Sequence, residues 1–434
     1  MKKILRTYIA KPVSAFITHS SSGGIVLLIS ALAALIVANS PWQENYHHWW
    51  ESRLTIGWEG FSFSKTTHHW INDGLMALFF FVVGLELKRE VIGGELSRPK
   101  DALLPILAGI GGMVVPAVFY VVFNSGLSSL DGWGVPMATD IAFALGIIYL
   151  LGDRVPTPVK VFLTALAIAD DIGAVLVIAF FYSSDISIQS LVAGLVGVGV
   201  LGVGNMVGIR SSWFYGVIGI LVVWVAFVLS GVHATIAGIL AAFMIPADVK
   251  ISETKLALKM KSLAQDLENA ESNDITLVTE AQWQIISEMR KLTKWAMTPL
   301  QRLEHALHPV VAFFIMPLFA FANAGVSLEG LTWETVGNPV TLGILIGLFL
   351  GKPIGIVGIS WLTIRLGWAK LPNQTSWSQL IGVAFLGGVG FTMSLFVTDL
   401  AFTSSELITQ AKVGILIASL VAGVVGFWLL RKSS

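Results

Sequence analysis

TPVKVFLTALAIADDIGAVLVIAFFY, residues 157–182, reads as a membrane-spanning helix with two aspartates, Asp170 and Asp171, in its middle. A carboxylate at the centre of a bilayer costs about 2.5–3.5 kcal/mol on insertion scales, and two side by side also repel each other. A cation, a proton or both must offset that cost. Asp140 and Lys352 place two further charges inside apolar runs and make the same demand.

The composition agrees with a bilayer setting. Of 434 residues, 55% are hydrophobic and only 12% charged, where a soluble domain carries about 25% charged residues. Apolar runs long enough to cross a bilayer recur along the chain. We therefore expect an all-α polytopic membrane protein, folded as one transporter domain over residues 1–434. The 43 glycines suit close helix packing and broken helices. Cysteine is absent, which removes disulfides, thiolate metal sites and thiol redox chemistry. The net charge is zero, with no basic patch of nucleic-acid type, and no cofactor is expected. Residues 1–11, MKKILRTYIAK, are basic and precede an apolar run, as in a signal peptide. That run is itself long enough to span and many spans follow, so retention is expected.

Twelve spans are expected near residues 22–40, 70–87, 102–123, 133–151, 158–182, 186–204, 213–230, 232–247, 306–328, 338–364, 378–400 and 406–430. The seventh and eighth are separated only at Ser230-Gly231-Val232. With the N-terminus inside, 23 of the 27 Lys and Arg residues fall on the inner side, and the outer loops hold only Arg53 and Lys65. One misplaced span would scramble that alternation, so both termini are expected in the cytoplasm. In the first outer loop, 41–69, Leu54, Ile56 and Trp58 alternate with polar or small residues, and Phe61 and Phe63 resume the pattern. That alternation suits a β-hairpin. The polar segment 248–304 carries Leu256, Met260, Leu263 and Leu267, then Ile285, Ile286, Met289 and Leu292, at helical spacing. Residues 269–274 read as a turn and Thr279 with Gln282 as a capping box, so a cytoplasmic helical hairpin is expected, with a partly ordered linker as the alternative.

Asp170 lies about 18–20 Å into its span by helical rise, and Asp140 and Lys352 fall at similar depth in theirs. Adjacent helical residues diverge by about 100°, so Asp170 and Asp171 must face different neighbours. A pair with Lys352 is the cheapest solution for one of them. A purely structural ion-pair network would leave two carboxylates without a cation, and such pairs rarely improve on apolar packing. Span four also holds Gly134-Val135-Pro136 ahead of Thr139 and Asp140. Pro136 removes a helical hydrogen bond and disfavours helix at Val135, so a break there would free carbonyls and the Thr139 hydroxyl as oxygen ligands. Span eleven has a matching interruption, Gly387-Gly388-Val389-Gly390, followed by Thr392 and Ser394. Interrupted helices in corresponding places point to a transporter site between inverted repeats, here spans 3–5 and 10–12, with spans 4 and 11 crossing. Taken singly, either glycine run reads more simply as close helix packing.

The chain resembles the NhaA family of bacterial sodium/proton antiporters over nearly its whole length. The matching stretches are VGLELKRE (83–90), ATDIAFALG (138–146), LAIADDIGA (166–174), SGVHATIAG (230–238), RLEHALHP (302–309), PLFAFANAGV (317–326), GKPIGI (351–356) and GFTMSLF (390–396). That family is itself a standing example of inverted-repeat transporters, so the resemblance and the interrupted-helix reading are not independent. The resemblance implies export of Na⁺, and Li⁺ beside it, in exchange for external H⁺ across the bacterial inner membrane, serving sodium and pH homeostasis. It implies that Asp170 and Asp171 bind the cation and the protons. Asp140 and Thr139 would sit where the broken helices cross, and Lys352 would pair with Asp170 or offset the charge of the crossing. Glu86, Arg89, Glu90, His233, Glu304, His305 and His308 match positions tied to pH response, although the histidines also read simply as interfacial or satisfied residues. The loop 41–69 would form a homodimer contact. One departure is that segment 248–304 is longer than in the best-known members.

The physics of the residues agrees. Two adjacent buried carboxylates titrate as a coupled unit, so protons and Na⁺ compete for one site. A hard cation prefers carboxylate, hydroxyl and carbonyl oxygens. Replacing one Na⁺ by two protons makes the exchange electrogenic, and alternating access carries the two loads in opposite directions. A proton-coupled carrier of another substrate is the nearest alternative, and it would want amide or aromatic groups around the charged layer. A passive cation channel or a membrane sensor is the other; a channel would show a symmetric filter loop, and a sensor a larger soluble domain. An enzyme lacks a nucleophile–base set at any one depth.

Overall fold

The structure, a computed structural model, describes residues 22–58, 61–183, 186–270, 277–327 and 336–433. The basic leader 1–11, residues 271–274 of the expected turn and residue 328 of the ninth expected span lie outside the described residues. So do the side chains of Ile56, Trp58, Phe61 and Phe63.

The chain is almost wholly helical. Helix α1 (Ser22–Ala38) bends by 113° into α2 (Gln43–Glu51). The Tyr46 hydroxyl fastens α2 by donating to the Phe321 carbonyl at 2.5 Å. Strands β1 (Arg53–Trp58) and β2 (Phe61–Thr66) pair antiparallel, Arg53 opposite Thr66 and Trp58 opposite Phe61. A helical turn at Thr67–His69 and a π segment at Trp70–Leu75 lead into α3 (Met76–Gly93). There follow α4 (Pro99–Asn124), a 3₁₀ stretch (Ser128–Met137), α5 (Ile141–Leu150) and α6 (Thr157–Phe181). Next come α7 (Ile188–Met206), α8 (Ser212–Ser230) and α9 (Ala234–Met244). Helices α10 (Glu253–Asn269) and α11 (Glu280–Ala296) pack as a pair through Leu263 and Leu292, with Met260, Ile285 and Met289 around them. The chain ends with α12 (Pro299–Asn323), α13 (Pro339–Arg365), α14 (Trp377–Gly387), α15 (Phe391–Ala401) and α16 (Ser405–Lys432).

Among the described residues, eight helices are long and apolar enough to cross a membrane, or ten if each bent pair counts as one. Val122, Phe180, Val203 and Leu420 turn outward and stay exposed. An apolar face of that extent belongs against lipid, and the chain is a multi-pass integral membrane protein.

Span four is interrupted where Pro136 predicts, while the starts of α9 and α12 depart from the sequence expectation. In span four, residues up to Met137 form 3₁₀ turns, 138–140 are extended, and the α-helix is confined to Ile141–Leu150. Pro136 and the Gly-rich run around it disfavour an α-helix there. Helix α9 has only 11 residues; Gly231 at φ 78° ends α8 in the left-handed region that glycine favours, and α9 begins three residues later. Helix α12 begins at Pro299, not at 306, because Thr298 and Gln301 form a reciprocal capping box and Pro299 takes the first turn. Glu304 therefore lies inside a helix and not in a loop segment.

Helix α4 is the spacer that sets the site. Gly109 faces α6, where an added Cβ would meet Ala169 at 3.3 Å. Gly111 faces α13, and a Cβ on Gly111 or Gly355 would run into the other's backbone carbonyl. The two helices thus touch backbone to backbone. Lys352, three residues before Gly355, is brought toward α6 by that contact. Pro353 has no N–H to offer the preceding turn, and the backbone widens into a π segment at Gly347–Gly351 just ahead of Lys352. Gly355→Ala should lower the thermal midpoint of the detergent-purified protein by the equivalent of about 1–3 kcal/mol. Gly358→Ala is the control, since its Cβ would meet nothing within 4 Å and the midpoint should stay put.

Candidate functional site

Two breaks in the helices cross at mid-fold. The first is the extended 138–140 between the 3₁₀ stretch and α5; the second is Gly388–Gly390 between α14 and α15, which meet at 41°. Each break leaves backbone groups that helix geometry cannot satisfy. They satisfy one another. The Asp140 N–H donates to the Val389 carbonyl at 2.7 Å. The Thr139 hydroxyl donates to the Gly387 carbonyl at 2.7 Å, and the Ser394 hydroxyl to the Val135 carbonyl at 2.8 Å. A Cβ on Gly390 would strike the Ala138 carbonyl and the Ser394 hydroxyl, so the crossing needs glycine there.

One carboxylate serves both helix N-termini. Asp140 Oδ1 accepts from the Phe143 N–H at 2.9 Å, capping α5. Its Oδ2 accepts from the Thr392 N–H at 3.1 Å and the Thr392 hydroxyl at 2.5 Å, at the start of α15. Each N-terminus carries roughly half a positive charge, so one anion offsets two helices. Lys352 does the converse. Its Nζ donates to the Thr139 hydroxyl at 2.8 Å, beside the end of α14, and to Asp170 Oδ2 at 2.5 Å.

Asp140, Asp170, Asp171 and Lys352 are all 1–2% exposed. Asp170 points to Lys352, and Asp171, on the next residue of α6, points elsewhere. The Oδ1 atoms of Asp170 and Asp171 are both buried without a hydrogen-bond partner among the described residues. At the crossing, the carbonyls of Val135, Gly387 and Val389 each accept a hydrogen bond, and the Thr139 hydroxyl both donates and accepts. A carbonyl that accepts one bond keeps a second lone pair. In the charged layer, the side-chain oxygens without a hydrogen-bond partner among the described residues are Oδ1 of Asp170 and Oδ1 of Asp171. Asp170 and Asp171 supply two carboxylates, and no group of three or more His, Asp or Glu is placed to hold a metal among the described residues.

The sequence profile of the Na⁺/H⁺ antiporter 1 family matches residues 14–430. The chain belongs to that family. A relative named Na⁺/H⁺ antiporter NhaA 2, from Syntrophotalea carbinolica, is 46% identical over 428 residues, covering 98% of each chain. The Na⁺/H⁺ antiporter NhaA of Oleidesulfovibrio alaskensis is 48% identical over 97% of this chain and 93% of its own. That of Acidithiobacillus ferrooxidans is 46% identical over 97% and 98%.

Of the seven positions that the family likeness ties to pH response, most sit at one end of the fold. Arg89 on α3 binds Glu304 on α12 at 2.6 Å and Glu90 at 2.8 Å. Glu86 lies one turn further along α3, and His305 and His308 are exposed on α12. His233 is at the opposite end of α3, on the side of the β-hairpin. Its Nδ1 is 2.9 Å from the Thr235 hydroxyl, its Nε2 is 3.6 Å from Asp73, and its ring edges against Phe396. The seven are therefore two groups and not one cluster.

Sequence reasoning missed a partly buried polar network on the hairpin side: His68, Asn72, Asn323 and Asp399. Asn323 ends the apolar run 310–322 and Asp399 is the one charged residue of α15, and that was the available signal. The Lys352–Asp170 pair admits a double-mutant test. Lys352→Met should destabilise the detergent-purified protein by about 3–5 kcal/mol, because it strands a buried carboxylate. Adding Asp170→Asn should restore most of the thermal midpoint. Additive losses would show that the two side chains do not interact.

Proposed function

We propose that this chain is a secondary active antiporter exporting Na⁺, and Li⁺ beside it, in exchange for external H⁺. The observation that carries this is the asymmetry of the paired aspartates in a chain of the Na⁺/H⁺ antiporter 1 family. Asp170 is neutralised by Lys352, while the Oδ1 atoms of Asp171 and Asp170 are buried without a hydrogen-bond partner among the described residues. Asp171 takes the cation or a proton, never both. A second proton leaves the Lys352–Asp170 pair as it opens and Asp170 turns to the cation, so one Na⁺ displaces two protons and the exchange moves net charge. Thr139 and Asp140 hold the crossed breaks in register around that event.

The same reading divides the chain into twelve spans. They are α1, the helix from 70 to 93, α4, the broken pair 128–150, α6, α7, α8, α9, α12, α13, the broken pair 377–401 and α16. Two three-span units, each with a broken span in the middle, form the inverted repeat, and the crossing of the two breaks supports it. Both termini are cytoplasmic, in the bacterial inner membrane, which puts the α10–α11 pair within segment 248–304 on the cytoplasmic face and the β-hairpin outside. The loop 41–69 makes a homodimer contact; exposed Trp42, Trp49 and Leu54 there support it. Glu86, Arg89, Glu90, Glu304, His305 and His308 adjust activity to cytoplasmic pH, and His233 to the outer side.

In proteoliposomes, Na⁺-driven proton flux should be present in the parent and absent in Asp171→Asn. Parental transport by that variant would refute the site assignment. Repeating the assay with Na⁺, Li⁺ and K⁺ in turn defines the substrate, and proton flux without any alkali cation would mark a leak.

A further inference from the structure

Helix α15 touches two polar regions at once. Its first turn holds Thr392, bonded to Asp140 in the charged layer. Its last turn holds Asp399, whose side chain is 13% exposed. Asp399 Oδ2 accepts from Asn72 Nδ2 at 2.8 Å. Asn323 Nδ2 donates to Asn72 Oδ1 at 3.0 Å and to the Phe319 carbonyl at 3.0 Å. A carbonyl can only accept, so that second bond fixes which way the Asn323 amide points. Its Oδ1 must face His68 Nε2, 2.8 Å away, and His68 must carry a proton there. The chain of bonds is directional: it starts at an N–H of His68 and ends on Asp399 Oδ2. His68 Nε2 also lies 3.6 Å from Asp399 Oδ2.

These bonds tie α15 to α12 and to the π segment before α3. Midway along α15, Phe396 packs against Phe80, Phe319 and His233. A cavity of about 700 Å³ opens beside the network, lined also by Lys65, His69, Asp73, Tyr182 and His233. Asp73 is held by His69 at 2.8 Å and faces His233 at 3.6 Å. His68 and Asp399 therefore form a His–carboxylate unit beside the one centred on Asp73, and they reach α15 directly.

We propose that Asp399 is a positioning residue that latches the hairpin-side end of α15 and so sets the apparent affinity of the ion layer. His68 passes the proton concentration of the hairpin-side compartment to that latch. A proton gained by the ring would place positive charge 3.6 Å from Asp399 Oδ2 and change the pull on it. The proposal rests on the antiport reading for its kinetic effect, but the latch itself can be read without transport.

The chain has no cysteine, so Thr398→Cys on α15, fully buried in the parent, gives a clean probe. Labelling by a membrane-impermeant maleimide should be slow in Thr398→Cys and several-fold faster when Asp399→Asn is added. An equal rate overturns the latch whatever the flux shows. In proteoliposomes with each compartment buffered separately, Asp399→Asn should raise KM for Na⁺ several-fold at near-parental kcat and flatten the dependence on hairpin-side pH. His68→Gln keeps an N–H donor without the ionisable ring; it should hold the parental KM and lose the dependence on hairpin-side pH. Parental KM and pH profile in Asp399→Asn also overturn the proposal. A parent without Na⁺-driven flux would sink the antiport reading alone, and the labelling rates would still decide the latch.

Discussion

A helix broken inside a bilayer has no water to complete its backbone hydrogen bonds, and each unsatisfied group costs several kcal/mol. This protein breaks two helices at one depth and closes the account by crossing them. The Asp140 N–H, the Thr139 hydroxyl and the Ser394 hydroxyl each find a carbonyl of the other strand. Asp140 then gathers the N-terminal ends of α5 and α15 on a single carboxylate. Neither break is tenable without the other. Everything around the charged layer follows from that mutual dependence, including the glycine at 390 and the approach of Lys352.

The second constraint is steric. Lys352 reaches Asp170 only because α4 separates α6 from α13 by little more than a backbone's width. Gly109 on one face and Gly111 on the other do this within a single turn. A side chain at either would push the ammonium away from the carboxylate. The buried pair thus depends on residues that carry no charge and lie on a third helix.

The fold and the charged layer were legible in the sequence for different reasons. Long apolar runs and the alternation of Lys and Arg locate most helices, because a bilayer constrains composition over some 20 residues at a time. Asp140, Asp170, Asp171 and Lys352 announce themselves because charge inside apolar sequence is costly. Local geometry was less legible. The capping box at Thr298 places the start of α12 seven residues before the hydropathy does. The Val135 carbonyl looked available from one strand alone, and its partner, the Ser394 hydroxyl, lies 259 residues away in sequence. Asp399 and Asn323 could be noticed singly, but the network that joins them to His68 and Asn72 could not: Asn72 and Asp399 are 327 positions apart and meet only when the chain is folded.

The pair α10–α11 is attached at a narrow neck. The Leu300 N–H donates to the Pro246 carbonyl at 3.2 Å, and the Lys250 N–H to the Trp295 carbonyl at 3.0 Å. Arg210 on the adjoining loop holds Asp248 through its backbone carbonyl and its carboxylate. The strands entering and leaving this excursion run side by side, so the distance between α9 and α12 is settled before the excursion begins. Its length is then free to drift over generations. Residues can be gained or lost beyond the neck with only a small loop-closure cost and no displacement of the helices that carry the charged layer. The α10–α11 pair is in that sense an appendix to the transporter, joined to it at one neck, and the machinery below would stand still if the pair changed length.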